Sequence, residues 1–185
     1  MKIINPILPI IENILGNLTA LQAEGKITTQ PIERIVLQWY ESERNILRKT
    51  TNTGREVAFR LLKEGQRLKH DDVVFISDEL AIVIEILPSE VIVLSPKTLP
   101  EMARACYEIG NKHSPLFLDG DEVTLPYDKP MFEWLQAAGF HPQKAERRLS
   151  QALRANSAQG HGHSHSHSHD HHGYHHHGDG HWHKH

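Results

Sequence analysis

The C-terminal run from Gly160, GHGHSHSHSHDHHGYHHHGDGHWHKH, sets the strongest limit on what this 185-residue chain can fold into. Its small and polar spacers bury too little apolar surface to offset the entropy of ordering a chain, so residues 156–185 are expected to form a disordered tail. The remaining roughly 150 residues are enough for one domain or two small ones.

Thirteen of the sixteen histidines lie in that tail: His161, His163, His165, His167, His169, His171, His172, His175, His176, His177, His181, His183 and His185. Neutral imidazole is a good ligand for nickel, copper and zinc, and alternating His-X-His spacing lets a flexible chain wrap several rings around one ion. At four to six ligands per ion, the tail could hold roughly two or three ions. The plain alternatives are an expression tag or a solubility tail; irregular spacing and the interspersed Asp170, Tyr174, Asp179 and Trp182 argue against a simple tag. Spacing does not choose the metal, because imidazole complexes strengthen through nickel to copper whatever the biological cargo.

The rest of the chain is expected to fold, since 38% hydrophobic and 23% charged residues are near globular averages. Twenty basic and 23 acidic side chains leave a formal charge of -3, too small to draw the protein onto nucleic acid or anionic lipid. Cys106 is the only cysteine, which excludes an internal disulfide and a thiolate cluster and fits a reducing compartment. The apolar run Ile3 to Leu15 is interrupted by Pro6, Pro9, Glu12 and Asn13. No stretch approaches the ~20 apolar residues of a membrane span, so the expected location is cytoplasmic.

The expected fold class is α+β, in two parts. Residues 1–88 read as a small antiparallel β domain, with strands at Glu33 to Trp39, Asn45 to Thr50, Val57 to Leu62, Val73 to Ile76 and Leu80 to Leu87. Asn52-Thr53-Gly54, Glu64-Gly65-Gln66 and Ser77-Asp78-Glu79 are turn punctuation of the hairpin kind. Residues 1–31 are open, with a short helix near Ile11 to Leu21 and a loop at Thr28 to Pro31.

Residues 89–155 read as strand, helix, strand, strand, helix. Glu90 to Leu94 is a strand, and Thr98-Leu99-Pro100-Glu101 has the form of a capping box. The helix is expected to run to Ile109, with Leu99, Met102, Ala103, Cys106 and Ile109 on its inner face and Gly110 as its left-handed stop. Leu116 to Leu118 and Glu122 to Leu125 flank the turn Asp119-Gly120. The second helix is capped by Asp128, buries Met131, Trp134, Leu135 and Ala138, and ends at Gly139. A final short strand near His141 would complete a ferredoxin-like β-α-β-β-α-β domain. Ala145 to Ala155 is then an amphipathic helix, basic through Arg147, Arg148 and Arg154.

Gly110-Asn111-Lys112-His113 follows the first of these helices. A histidine just past a helix C-terminus is often only a charge that complements the dipole. Here it sits in a longer pattern. Tyr107-Glu108-Ile109-Gly110-Asn111-Lys112-His113 with Pro115-Leu116, together with Arg48-Lys49-Thr50-Thr51, Gly54, Glu56, Leu62, Gly65, Leu68 and Asp72-Val73, resembles the UreE urease accessory protein family of nickel metallochaperones. The resemblance covers about Asn45 to Phe140 and rests mainly on the specific second-domain motif. A histidine-rich C-terminus is a further trait of many members.

The resemblance implies a homodimer of two-domain subunits. The ferredoxin-like domain would form the dimer, and His113 would sit at the twofold, where two copies share a metal ion. The cargo implied is Ni2+, with Zn2+ or Cu2+ also able to bind, and the partners implied are the urease accessory GTPase and the urease apoprotein complex. The first domain would resemble a co-chaperone peptide-binding module. Two departures stand out. Some members carry two further metal-binding histidines in the segment matching Tyr127-Asp128-Lys129, and this chain has none there; Asp71 stands where the family usually has glycine, a place that Asp tolerates because it visits the left-handed region.

Three classes of function remain in view. A metallochaperone needs a labile site and a delivery partner; a nickel or zinc storage or buffering protein needs only the tail. A metallohydrolase needs a fixed multi-ligand centre. Outside the tail there are only His70, His113 and His141, with no phosphate loop and no Ser or Cys nucleophile constellation, so an enzyme is not expected.

Overall fold

Strands form where β-branched residues are densest. The computed structural model describes residues 10–63 and 66–153, and its first half contains β1 (Gly16–Asn17), α1 (Leu18–Ala23), β2 (Ile32–Leu37), α2 (Trp39–Ser42), β3 (Ile46–Thr50), β4 (Glu56–Arg60), β5 (Asp72–Ile76) and β6 (Ala81–Ile86). One sheet has the order β1-β5-β6-β2, while β3 and β4 form a separate two-stranded ribbon. Strand β6 is apolar on both faces for a reason visible in its packing. Ile82, Ile84 and Ile86 meet Leu47, Val57 and Phe59 on the ribbon side, whereas Ala81 and Val83 meet Leu18, Leu21 and Ile27 beside α1.

The pairing of this β domain is mixed. β3–β4 and β5–β6 are antiparallel as expected, and β1, where no strand was expected, pairs with β5 in the same sense, but β2 joins β6 in parallel, from Ile32 opposite Ala81 to Leu37 opposite Ile86. Antiparallel neighbours need only a tight turn; the chain between β2 and β6 is long enough to carry the ribbon and β5 and to return in the same direction. Local readings also shift. The early helix begins only at Leu18, because Asn17 caps it by accepting the Thr19 amide at 3.0 Å, and Ile11 instead bridges to Phe59. Glu64-Gly65 lie outside the described residues, and since β4 and β5 belong to different sheets the connection there is no hairpin.

The second half contains β7 (Ser89–Leu94), α3 (Leu99–Asn111), β8 (Phe117–Asp119), β9 (Glu122–Pro126), α4 (Lys129–Ala137) and β10 (Gln143–Arg147). The sheet order β10-β7-β9-β8, antiparallel throughout, is the ferredoxin-like arrangement. Alternation decides which residues meet the helices. Ile92, Leu94, Val123 and Leu125 pack with Ala105, Ile109 and Leu135. Val91, Val93 and Phe117 point to the other face, where Trp39 and Leu149 cover them.

The expected helix over Ala145 to Ala155 does not form among the described residues, which end at Leu153. Gln143–Arg147 is a strand against β7, with Ala145 opposite Val91, and the chain then crosses the sheet to a bridge between Leu153 and Leu116. Gln-Lys-Ala-Glu-Arg is a good helix-forming sequence, but the open edge of β7 offers backbone partners that local propensity does not. Among the described residues no helix is long and apolar enough to cross a membrane.

Candidate metal-binding site

The site region is built by the last turn of α3. The helix starts on Thr98, whose hydroxyl accepts the Glu101 amide at 3.3 Å, while the Glu101 carboxylate accepts the Lys97 amide at 2.6 Å. It does not stop at Gly110. It runs to Asn111 with Lys112 as C-cap, and the residue that turns left-handed is His113 itself, at φ 55°. The His113 amide donates to the Gly110 carbonyl at 2.9 Å and the Lys112 amide to the Ile109 carbonyl at 3.1 Å, closing the helix end. Gly110 faces open space, so nothing forces it out of helical geometry. Pro115 is the signal that marks the true end, since proline is common just past a C-cap.

A left-handed conformation on a residue with a side chain costs on the order of 1 kcal/mol, although His is among the residues that tolerate it best. His113 is exposed. Its neighbour Lys112 is folded back, with Nζ 4.0 Å from the centroid of the Trp134 ring on α4, which ties the end of α3 to the second helix. Sequence reading missed this contact, because it joins residues far apart in the chain.

The inner face of α3 also differs from expectation. Ala105 and Ile109 are the buried residues, with Met102 and Cys106 half-buried, while Leu99 is 81% and Tyr107 68% exposed. Leu99, Ala103 and Tyr107 therefore form an outward apolar stripe at i, i+4 and i+8, ending one turn before Asn111. The apolar periodicity of α3 serves two faces, only one of which is covered among the described residues.

Other candidate ligands are engaged or isolated. His70 Nδ1 accepts the Ile86 amide at 3.2 Å and Nε2 lies 3.7 Å from the Asp71 carboxylate, so it joins β6 to the turn before β5. Asp71 takes the left-handed conformation at φ 62°, as its place in that turn requires. Burial pushes the Cys106 thiol up, and its Sγ lies 3.9 Å from Met102 Sδ, the setting of a packed thiol and not of a thiolate ligand. His141 is exposed on the connection into β10. Among the described residues no group of three or more His, Cys, Asp or Glu could hold a metal ion. The thirteen tail histidines, His161 to His185, lie outside the described residues.

Two family models match the chain. One, described as the UreE urease accessory protein N-terminal domain, covers residues 11–87, and the other, its C-terminal domain, covers residues 89–185. The chain is 98% identical over 161 residues to a urease accessory protein UreE of Haemophilus influenzae strain PittGG, an overlap of 87% of each chain. It is 86% identical over 161 residues to the Actinobacillus pleuropneumoniae protein of that name, covering 87% of this chain and 86% of the relative. The similarity reaches to Acetivibrio thermocellus, at 38% over 147 residues, 80% of this chain and 93% of the relative.

Proposed function

The chain belongs to the UreE family of urease accessory proteins, and from that premise we propose that it is a nickel metallochaperone that delivers Ni2+ to apo-urease during assembly of the urease active site. The family is one of accessory proteins, not enzymes. One observation carries the nickel reading: His113 is exposed, held in a strained left-handed turn, and belongs to no group of three or more potential metal ligands among the described residues. Such a histidine becomes a metal site only with help from elsewhere. A twofold axis near it supplies a second copy of the same ligand.

The homodimer of this reading is supported by the apolar stripe Leu99, Ala103 and Tyr107, since contiguous exposed apolar surface marks interaction sites. The division into a β domain at 1–88, a ferredoxin-like dimerisation and metal domain at 89–155 and a tail at 156–185 belongs to the same proposal. It is supported by the two separate four-stranded sheets and by the junction of the family models between residues 87 and 89. The delivery partners are the urease accessory GTPase and the urease apoprotein complex, in the cytoplasm. Ni2+ is the cargo; Zn2+ and Cu2+ compete for the same imidazoles.

The tail acts as a collecting arm for the His113 site. A flexible chain of about 26 residues has a root-mean-square reach on the order of 28 Å, comparable with a small domain. Tethering raises the local imidazole concentration into roughly the millimolar range, so that captured ions exchange within the molecule. Truncation after Ala155 is expected to preserve dimerisation, to lower capacity to about one ion per dimer and to slow urease activation only when nickel is scarce. Equal impairment at limiting and saturating nickel would refute the collecting role. Because imidazole must be deprotonated to bind, the tail's share should fade as pH falls through about 6.5.

Calorimetric titration of the full chain with nickel tests the central claim. His113→Ala should remove one tight site per dimer and leave the weaker tail sites, and a mutant that retains the tight site would sink it. Storage or buffering of nickel or zinc is the competing reading. Under it, His113→Ala leaves urease activation intact provided the tail is present.

A further inference from the structure

A cleft of ≈ 350 Å³ opens beside the start of α3, between the end of β7 and the start of β10. That volume is within the range of small-molecule sites, which begin at about 300 Å³. Leu94, Pro96 and Phe140 give it an apolar lining, and Lys97, Arg104 and Glu101 bring charge to it. One wall is the chain that leaves α4. Gly139 takes a left-handed φ of 83° there, and the Phe140 amide donates to the Leu135 carbonyl at 3.0 Å. Arg104 reaches across from α3: its Nη2 donates to the Ala138 carbonyl at 2.7 Å, and its guanidinium carbon lies 4.9 Å from the centroid of the Phe140 ring. The aromatic ring and the guanidinium are thus held together in one wall.

The charges on the cleft are unequal. Glu101 Oε2 accepts the Lys97 amide at 2.6 Å, so the carboxylate is engaged in starting α3. Neither Lys97 nor Arg104 forms a salt bridge among the described residues. Leaving His141 on the rim aside, two cations against one carboxylate give the lining a single net positive charge, and the start of α3 adds the positive end of its dipole. Glu101 and Arg104 lie on a different flank of α3 from the outward stripe Leu99, Ala103 and Tyr107, because successive helical residues turn by about 100°. Pairing of two protomers through that stripe therefore leaves the cleft open.

We propose that this cleft binds a small organic monoanion, a carboxylate carried on a planar apolar body. The carboxylate meets Arg104 and Lys97, and the body lies against Phe140, Leu94 and Pro96. Arg104 spends only one of its N–H donors on Ala138 among the described residues, and a guanidinium has five, so donors remain for the ligand. The single net charge selects a monoanion over a dianion, whose second charge would stand unmatched beside Glu101. The apolar lining selects an organic ion over a bare inorganic one, since burying that body adds hydrophobic stabilisation. The inference is independent of the His113 reading: it concerns another part of α3 and needs no metal.

The probe is benzoate, titrated into the full chain while backbone amide resonances are followed, with benzyl alcohol as the neutral counterpart and inorganic phosphate as an anion without an apolar body. Benzoate should bind saturably with Kd in roughly the millimolar range and shift the amides of Lys97, Gly139 and Phe140 ahead of all others. Benzyl alcohol and phosphate should each bind about tenfold more weakly or not at all. Arg104→Gln should weaken benzoate about tenfold or more. Because Arg104 also ties α3 to the end of α4, Lys97→Gln, on an exposed side chain, tests the charge without touching that tie and should weaken benzoate about threefold. Equal binding of benzoate and benzyl alcohol overturns the proposal by making the cleft an uncharged apolar patch. Phosphate as tight as benzoate overturns it in favour of a bare anion site. Unchanged benzoate affinity in Lys97→Gln, or shifts confined to other parts of the chain, overturns it as well.

Discussion

At the scale of single residues, His113 and Glu33 carry tensions that can be measured. His113 occupies a left-handed position that glycine would fill without strain, so His113→Gly should raise stability by about 1 kcal/mol in chemical denaturation. On the proposed function the same change should also remove the tight nickel site. A His113→Gly variant no more stable than His113→Ala would show that the turn holds no strain. Glu33, on β2, faces the ribbon turn, where Arg55 Nε and Nη2 approach its carboxylate at 3.2 Å. Burial alone would raise this carboxyl, but hydrogen bonds from Arg55, Thr51 and Thr53 and the Arg55 charge outweigh burial and hold it below the ordinary range. A depressed carboxyl stabilises the fold above its unfolded pKa of about 4.3, and that contribution is lost as pH falls through the folded value. Glu33→Gln should thus cost roughly 2 kcal/mol near neutrality and flatten the acid limb of the stability curve. Parallel acid limbs for wild type and variant would contradict this account.

At the scale of elements, the helix starts follow from local chemistry. Asp128 accepts the Met131 amide at 2.9 Å, and Asp128→Ala should cost about 1 kcal/mol through the loss of that cap. Thermal unfolding of the variant gives the answer directly. Cys106 lies on the half-buried flank of α3 against the helix and sheet core. Cys106→Ala should cost roughly 1 kcal/mol and leave nickel stoichiometry unchanged; a sulfur-to-nickel absorption band lost in the variant would make the thiol a ligand after all. The end of α3 was less legible than its start. Glycine at 110 is a strong stop signal only where the chain must turn there, and at an exposed helical position with open space around it the helix continues to Asn111.

At the scale of the whole molecule, Trp39 is the contact that local sequence could not announce. It packs on Phe117 edge to face, with ring centroids 5.6 Å apart and planes at 88°, while Arg148 Nε donates to the Ile86 carbonyl at 3.1 Å. Both contacts join the β domain to the ferredoxin-like sheet, so that face of the second sheet is shielded partly by the other half of the protein. Trp39→Ala should cost about 3 kcal/mol and speed limited proteolysis near Leu87-Pro88. Unchanged cleavage there would mean that the two halves hold together without the indole.

The sequence by itself determined the strands of β2 to β7, the caps at Thr98 and Asp128 and the ferredoxin-like order of elements, because each depends on side-chain alternation or on hydrogen bonds within a few residues. It also singled out His113 as the candidate ligand outside the tail. The tertiary structure alone decided the parallel pairing of β2 with β6, the strand at Gln143–Arg147 and the outward stripe on α3. In each case the outcome rests on a backbone edge or an apolar face supplied from far along the chain. No local pattern encodes which distant partner is there to fill it.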